Sequence, residues 1–169
     1  ALGAAALNGV PAGGTVLLLD SLPGDNGIRE RMEAAKAVLE REGRQVRVYK
    51  WDPDTTALPD ILRIERPRAI IAFEAAALAD VAELSRGEDT FPLLYGCGST
   101  SSIAAALEKG RVTAITAVNV FSTGYLAVEA AAALARHEDW TAAPPVAFSI
   151  VRQETMYDSD NQKLLFPVT

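Results

Sequence analysis

Cysteine and histidine are almost absent from this sequence, with one of each, Cys97 and His137, in 169 residues. A single thiol excludes an internal disulfide and leaves the redox compartment open. No spacing of His, Cys or carboxylates marks a metal site, and no cofactor motif is present: Gly-Lys-Ser/Thr and GxGxxG are both missing. Basic residues are also in deficit, 16 Lys and Arg against 22 Asp and Glu, for a net charge of −6. That balance argues against a nucleic-acid partner, which needs clustered cations. The nearest cluster, Arg63, Arg66 and Arg68, is interrupted by Glu65 and reads as a solvated helix end. Long apolar runs are lacking too. The longest, Leu126 to Ala135, is alanine-rich, broken by Glu129, and short of the ~20 residues a bilayer span needs. There is no charged segment followed by an apolar one at the start. The opening ALGAAALNGV instead reads as a helix already under way, as expected of a mature, cleaved or truncated chain. With no Gly/Ser linker, charged block or repeat, the length suits one well-packed α/β domain.

What is present is an alternation of apolar strands with amphipathic helices. TVLLLD at 15–20 is a short apolar run ending in an acid, the pattern of a buried parallel strand. A helix over 27–42 follows, with Ile28, Met32, Ala35, Val38 and Leu39 at helical spacing. Asp25 or Asn26 can cap its start, and Gly43 sits where a helix commonly ends. Further strands are predicted at 45–51, 69–74, 91–97 and 112–118, and helices at 58–65, 75–86, 102–109 and 123–137. A last strand over 146–151 leads into a polar tail. Strands alternating with helices of this length imply a parallel sheet covered on both faces. Right-handed crossovers then favour a doubly wound, flavodoxin-like order, 2-1-3-4-5.

In such a sheet ligands sit beyond the carboxyl ends of the strands. Those ends offer Asp20 and Ser21, then Glu74, then Gly96 to Thr100, then Asn119. Arg31 falls on the flank of its helix's apolar arc, where a guanidinium must snorkel or find acceptors. It either contacts a ligand or bridges to Asp20 or Glu74. GCGSTSS at 96–102 is a small-residue loop entering a helix. Its N–H groups and hydroxyls suit a hydroxyl-rich or anionic ligand, or simply form a turn with an N-cap. Cys97 ends a strand while His137 ends a helix, so the two make no catalytic pair, and Cys97 reads as a small buried hydrophobe. Asp158 and Asp160 alternate like the start of a calcium loop whose remainder is missing. The loop SLPGDN at 21–26 lacks a flavin-phosphate cradle. A response-regulator receiver is excluded as well, because Glu74 and Asn119 stand where it would need Asp and Lys.

Read in order, these pieces resemble the sugar-binding proteins of ABC importers and the effector domains of LacI-type regulators. LLLDSLPGDNGIRERMEAAKAVLEREGRQV is similar to that family's strand, loop, Arg-bearing helix and next strand. LLYGCGSTSSIAAALEKGRVTAITAVNVFSTGYLAVEAAAAL resembles its strand, its helix ending in Lys-Gly, its hinge strand and its Gly-Tyr-x-Ala-Val-Glu helix. IVRQETMYDSDNQKLLFPVT is similar to the closing segment of solute-binding lipoproteins. The resemblance covers nearly the whole chain, but only the carboxy-terminal lobe of a two-lobed, type-1 periplasmic binding protein. It implies extracytoplasmic binding of a small polar solute without chemistry, delivery to an ABC permease, and an amino-terminal lobe outside this chain. The different-class alternative is the effector lobe of a regulator, and an enzyme on a flavodoxin-like fold is a third.

The resemblance also places a site. Arg31 matches the family's ligand-binding Arg. The polar residue of the third strand falls at Phe73, beside Glu74, and Phe73 can stack on a ring. The Asp after the fourth strand falls at Gly98, followed by Ser99 and Thr100. The Gln or Asp before the long helix falls at Val118 or Asn119. The expected ligand-binding set is therefore Arg31, Glu74, Ser99, Thr100, Asn119 and Asp20. By the same likeness, residues 1–119 form the second lobe. Residues 120–145 carry a helix shaped to pack on the first lobe, and 146–169 form the return strand and tail. Unpartnered, that helix is expected either to fold back onto its own domain or to drive association into a homodimer.

Overall fold

In the computed structural model, residues 1–52, 57–88, 90–140 and 148–166 are described. They run α1 (Leu2–Leu7), β1 (Thr15–Asp20), α2 (Asn26–Arg41), β2 (Gln45–Lys50), α3 (Leu58–Glu65), β3 (Ala69–Ala72), α4 (Ala75–Leu84), β4 (Leu93–Cys97), α5 (Ser101–Glu108), β5 (Ala114–Val118), α6 (Val120–Ala135), β6 (Phe148–Val151), a 3-10 turn (Gln153–Thr155) and α7 (Ser159–Leu165). The sheet order is β2-β1-β3-β4-β5-β6. The first five strands are parallel, in the doubly wound order expected, and β6 is added antiparallel to β5. The residues at 146 and 147, where the last strand was expected to begin, lie outside the described residues, as do 167–169 of the tail.

The central strands are apolar at consecutive positions because both of their faces are buried. Alternate side chains leave a strand on opposite sides. Leu17, Leu19, Ile70, Ala72 and Leu94 therefore enter one core, shared with Leu78 and Val81 of α4, Ile103 and Leu107 of α5, and Leu165 of α7. Val16, Leu18, Ile71, Phe73 and Tyr95 enter the other, against Leu2 and Ala6 of α1 and Ile28, Met32 and Leu39 of α2. Edge strand β2 reads QVRVYK and buries none of its residues fully, as an edge with one covered face should.

The short helix α1 is fastened at its end. Arg44 donates from Nε to the Val10 carbonyl at 3.0 Å and from Nη2 to the Leu7 carbonyl at 3.2 Å, satisfying groups a helix C-terminus leaves open. Gly96 in β4 sets how closely α4 lies on the sheet. A Cβ there would come within 2.7 Å of both methyl carbons of Leu78 and 2.9 Å of the Ala72 carbonyl oxygen.

Gly96→Ala is thus expected to push α4 outward and cost about 1–3 kcal/mol, the scale for overpacking a filled core. Urea denaturation checks it, and an unchanged midpoint would refute the close-packing account.

Candidate functional site

Every helix that follows a parallel strand begins at the carboxyl edge of the sheet, so that edge collects helix N-termini and their orphan N–H groups. The sequence supplies a side-chain acceptor for four of them. Asp25 Oδ1 accepts from the Ile28 amide at 2.8 Å at the start of α2. Glu74 caps α4 with both oxygens, accepting from Ala76 N at 2.7 Å and Ala77 N at 3.0 Å. Thr100 Oγ1 accepts from Ile103 N at 3.4 Å and lies 3.0 Å from the Ser102 hydroxyl. Asn119 Oδ1 accepts from Ser122 N at 2.9 Å, capping α6.

Between these helix starts lies an open cleft of about 1290 Å³. Arg31, Glu74, Ser99, Thr100 and Asn119 all line it, so five of the six residues expected at a common edge share one cavity. Asp20 is half-buried at the end of β1 and is not part of the lining. From the loop that follows β1, Leu22 and Asp25 line the cleft instead. Arg31 bridges to neither Asp20 nor Glu74. Its Nε donates to the Gly27 carbonyl, 3.0 Å away on its own helix, and the rest of the guanidinium is exposed. Phe73 reaches the cleft but is only 2% exposed, held in the core with α1 and α2. That leaves little ring face for stacking.

Gly98 brings main chain into the site. Its φ of 127° is a backbone state that L side chains rarely adopt, and a Cβ would lie 2.8 Å from the Ala75 methyl. Next to it, Cys97 is half-buried rather than fully buried, lines the cleft and accepts a hydrogen bond from Thr116 Oγ1 at 3.2 Å. His137 is exposed past the end of α6 and lines no part of the cleft, so it does not serve Cys97. In the tail, Asp158 precedes α7 and Asp160 pairs with Lys163 at 3.4 Å. Among the described residues, no group of three potential metal ligands comes together.

Several lining residues carried no signal in the sequence. Leu2 and Gly3 arrive because α1 crosses α2, where Gly3 faces the Ala35 backbone. Phe148 arrives because β6 pairs with β5, placing it opposite Val118. Lys163 and Leu164 arrive with α7. Each depends on a pairing distant in sequence.

Helix α6 stands apart from both cores. Of its 16 residues only Ala133 is buried. Val120, Phe121, Tyr125, Val128 and Leu134 are 61–79% exposed. The helix has not folded back onto its own domain.

A model of the periplasmic binding protein domain matches residues 1–139. No curated protein sequence matches. Among solved structures, an ABC transporter solute-binding protein from Agrobacterium vitis with bound D-fucose superposes with a TM-score of 0.87 at 13% identity, covering 98% of this chain and 60% of that one. A second from Agrobacterium vitis, bound with α-D-tagatopyranose, gives 0.84 at 15% identity, with 99% and 58% covered. A periplasmic ribose ABC transporter protein from Conexibacter woesei gives 0.76 at 18% identity, with 96% and 59% covered. The chain spans about 60% of the length of these proteins.

The Glu74 cap yields a prediction. Glu74→Ala leaves Ala76 N and Ala77 N without acceptors and is expected to cost about 1–2 kcal/mol, as for lost N-caps. Thermal unfolding followed by circular dichroism reads this, and an unshifted transition would contradict the capping role.

Proposed function

The chain belongs to the periplasmic binding protein domain family, and from that premise we propose that it binds a small polar solute, a sugar or sugar-like molecule, as one lobe of an ABC importer's receptor. The observation carrying this reading is the cleft itself. Arg31, Ser99, Thr100 and Asn119 meet beside helix N-termini, at the edge where ligands of parallel sheets collect. The role is binding without chemistry. Of the two residues singled out as a possible catalytic pair, the thiol at the cleft is hydrogen-bonded to Thr116 and no imidazole accompanies it. A LacI-type effector lobe would share the fold, but the solved structures cited are importer proteins, which favours transport.

The coverage of 58–60% of those proteins is what a single lobe would give. Helix α6 supports the same reading. A helix apolar on nearly every side is ordinarily buried, and this one has only Glu129 as a charge. We assign its exposed face, continued by Val118 and Phe148, to the partner lobe, with residues 1–119 forming the lobe proper and 146–169 its return strand and tail. The working location is extracytoplasmic, alongside a permease. Within the described residues no helix is long and apolar enough to cross a membrane.

Two tests follow. Arg31→Ala should weaken solute binding by about 1.5–3 kcal/mol, the scale for a hydrogen bond to a charged group. Calorimetry across a panel of pentoses and hexoses, in which no member responds to the substitution, would remove Arg31 from the site. Separately, without the first lobe the α6 face should drive homodimerisation at micromolar concentration. Phe121→Ser with Val128→Ser should then restore a monomer in sedimentation. An unsubstituted chain that is already monomeric would count against the exposed face as a contact surface.

A further inference from the structure

We infer that Asn26, the first residue of α2, is a site of spontaneous covalent modification in the folded chain, where the Gly27 nitrogen cyclises onto the Asn26 side-chain amide. This chemistry is independent of whatever the cleft holds. The reaction has two steps. The Gly27 main-chain nitrogen loses its proton to solvent base and attacks Asn26 Cγ. The bond from Cγ to the side-chain nitrogen breaks, and ammonia leaves a five-membered succinimide. Water then adds to one of the two ring carbonyls. The ring opens to aspartate or, with the peptide link moved onto the side chain, to isoaspartate.

The sequence holds two Asn-Gly pairs, Asn8-Gly9 and Asn26-Gly27. Glycine removes the side chain that would hinder the attack and frees the backbone to make it, so both pairs are reactive as sequence. The fold separates them in three ways. Gly9 N donates to the Ala6 carbonyl at 3.1 Å, a bond that cyclisation must break. Gly27 lies in the first turn of α2, where no helical carbonyl stands one turn back, and its N–H donates to no group among the described residues. Gly9 is also packed, since a Cβ there would come within 2.3 Å of Leu93 Cδ1 and 2.9 Å of the Tyr95 hydroxyl. At Gly27 a Cβ would meet only Asp25 Oδ1, at 3.3 Å, and both Asn26 and Gly27 are exposed to water. Swinging their peptide out of helical geometry costs least in a terminal turn. Finally, Arg29 Nη2 donates to Asn26 Oδ1 at 2.6 Å. A guanidinium has donors only, so the amide oxygen faces it. As attack turns that oxygen into an oxyanion, the bond becomes charge-assisted on both sides and strengthens.

The two products differ in what they do to α2. Aspartate keeps the backbone and adds a charge that a helix start favours. Isoaspartate adds one carbon to the main chain between the Asp25 carboxylate and Ile28 N, which the cap holds at 2.8 Å. It also displaces the Gly27 carbonyl on which Arg31 Nε rests. The isoaspartyl form therefore loosens the α2 wall of the cleft as the protein ages.

The test is peptide mapping by mass spectrometry of the 169-residue chain after incubation at mildly alkaline pH, once folded and once in urea. Each conversion adds one mass unit, and chromatography separates aspartyl from isoaspartyl peptides. In the folded chain Asn26 should convert about fivefold or more faster than Asn8, the factor for one hydrogen bond that must first break. In urea the two rates should converge. Arg29→Met, at an exposed position, should slow Asn26 in the folded chain and leave its rate in urea unchanged. Equal rates in the folded chain, or faster conversion at Asn8, would overturn the site. A ratio that persists in urea would overturn its origin in the fold, and an unslowed Arg29→Met would overturn the part given to Arg29.

Discussion

Both faces of β1, β3 and β4 must be buried at once, and the rest of the molecule is arranged to meet that demand. Leu17 and Leu19 point one way while Val16 and Leu18 point the other, and Ile70 and Ile71 repeat the division one strand over. A sheet with two apolar faces needs helices on both, which parallel strands supply because every return crossing is a helix. Helices α1 and α2 cover one side, and α4, α5 and α7 contribute to the other. Gly96 shows how tight the fit is, since not even one methyl group separates β4 from Leu78.

A cleft is a by-product of that arrangement. With strands parallel and crossings helical, the starts of α2, α4, α5 and α6 gather at one edge, each presenting unpaired N–H groups. The chain meets them with Asp25, Glu74, Thr100 and Asn119. Polar residues at strand ends therefore have two claims on them, one from the adjacent helix and one from any ligand. Glu74 answers the first with both oxygens. Arg31, sitting on the second turn of α2 and tied only to Gly27, is available for the second. The distinction matters because a residue at the right edge is only a candidate, and its remaining hydrogen-bonding capacity decides what it can hold.

Helix α6 is the element that this demand does not explain. It follows β5 but joins neither core, and its aromatic and branched side chains remain in solvent. Such a surface is expensive in isolation and typical of a contact. The match over residues 1–139 includes the helix, so the exposed face lies within the segment that the family model covers.

The sequence by itself determined the strand and helix alternation, the doubly wound order of the parallel strands and the edge at which polar groups gather. Apolar runs and helical spacing are local, and right-handed crossover leaves few ways to connect them. It also placed Ser99, Thr100 and Asn119 at one edge, because each closely follows a strand that the pattern marks, and Arg31 near them in the first turns of the helix after β1. Tertiary structure decided what those residues are doing. That Glu74 caps two amides, that Arg31 finds no acid among the described residues, and that Asp20 stands off the cleft are matters of distance and rotamer, which periodicity does not encode. Only the fold brings Leu2, Phe148 and Leu164 to the same cavity, because their presence follows from contacts far apart along the chain. A sequence pattern records which face of an element is apolar; which neighbour that face meets is settled by three-dimensional packing.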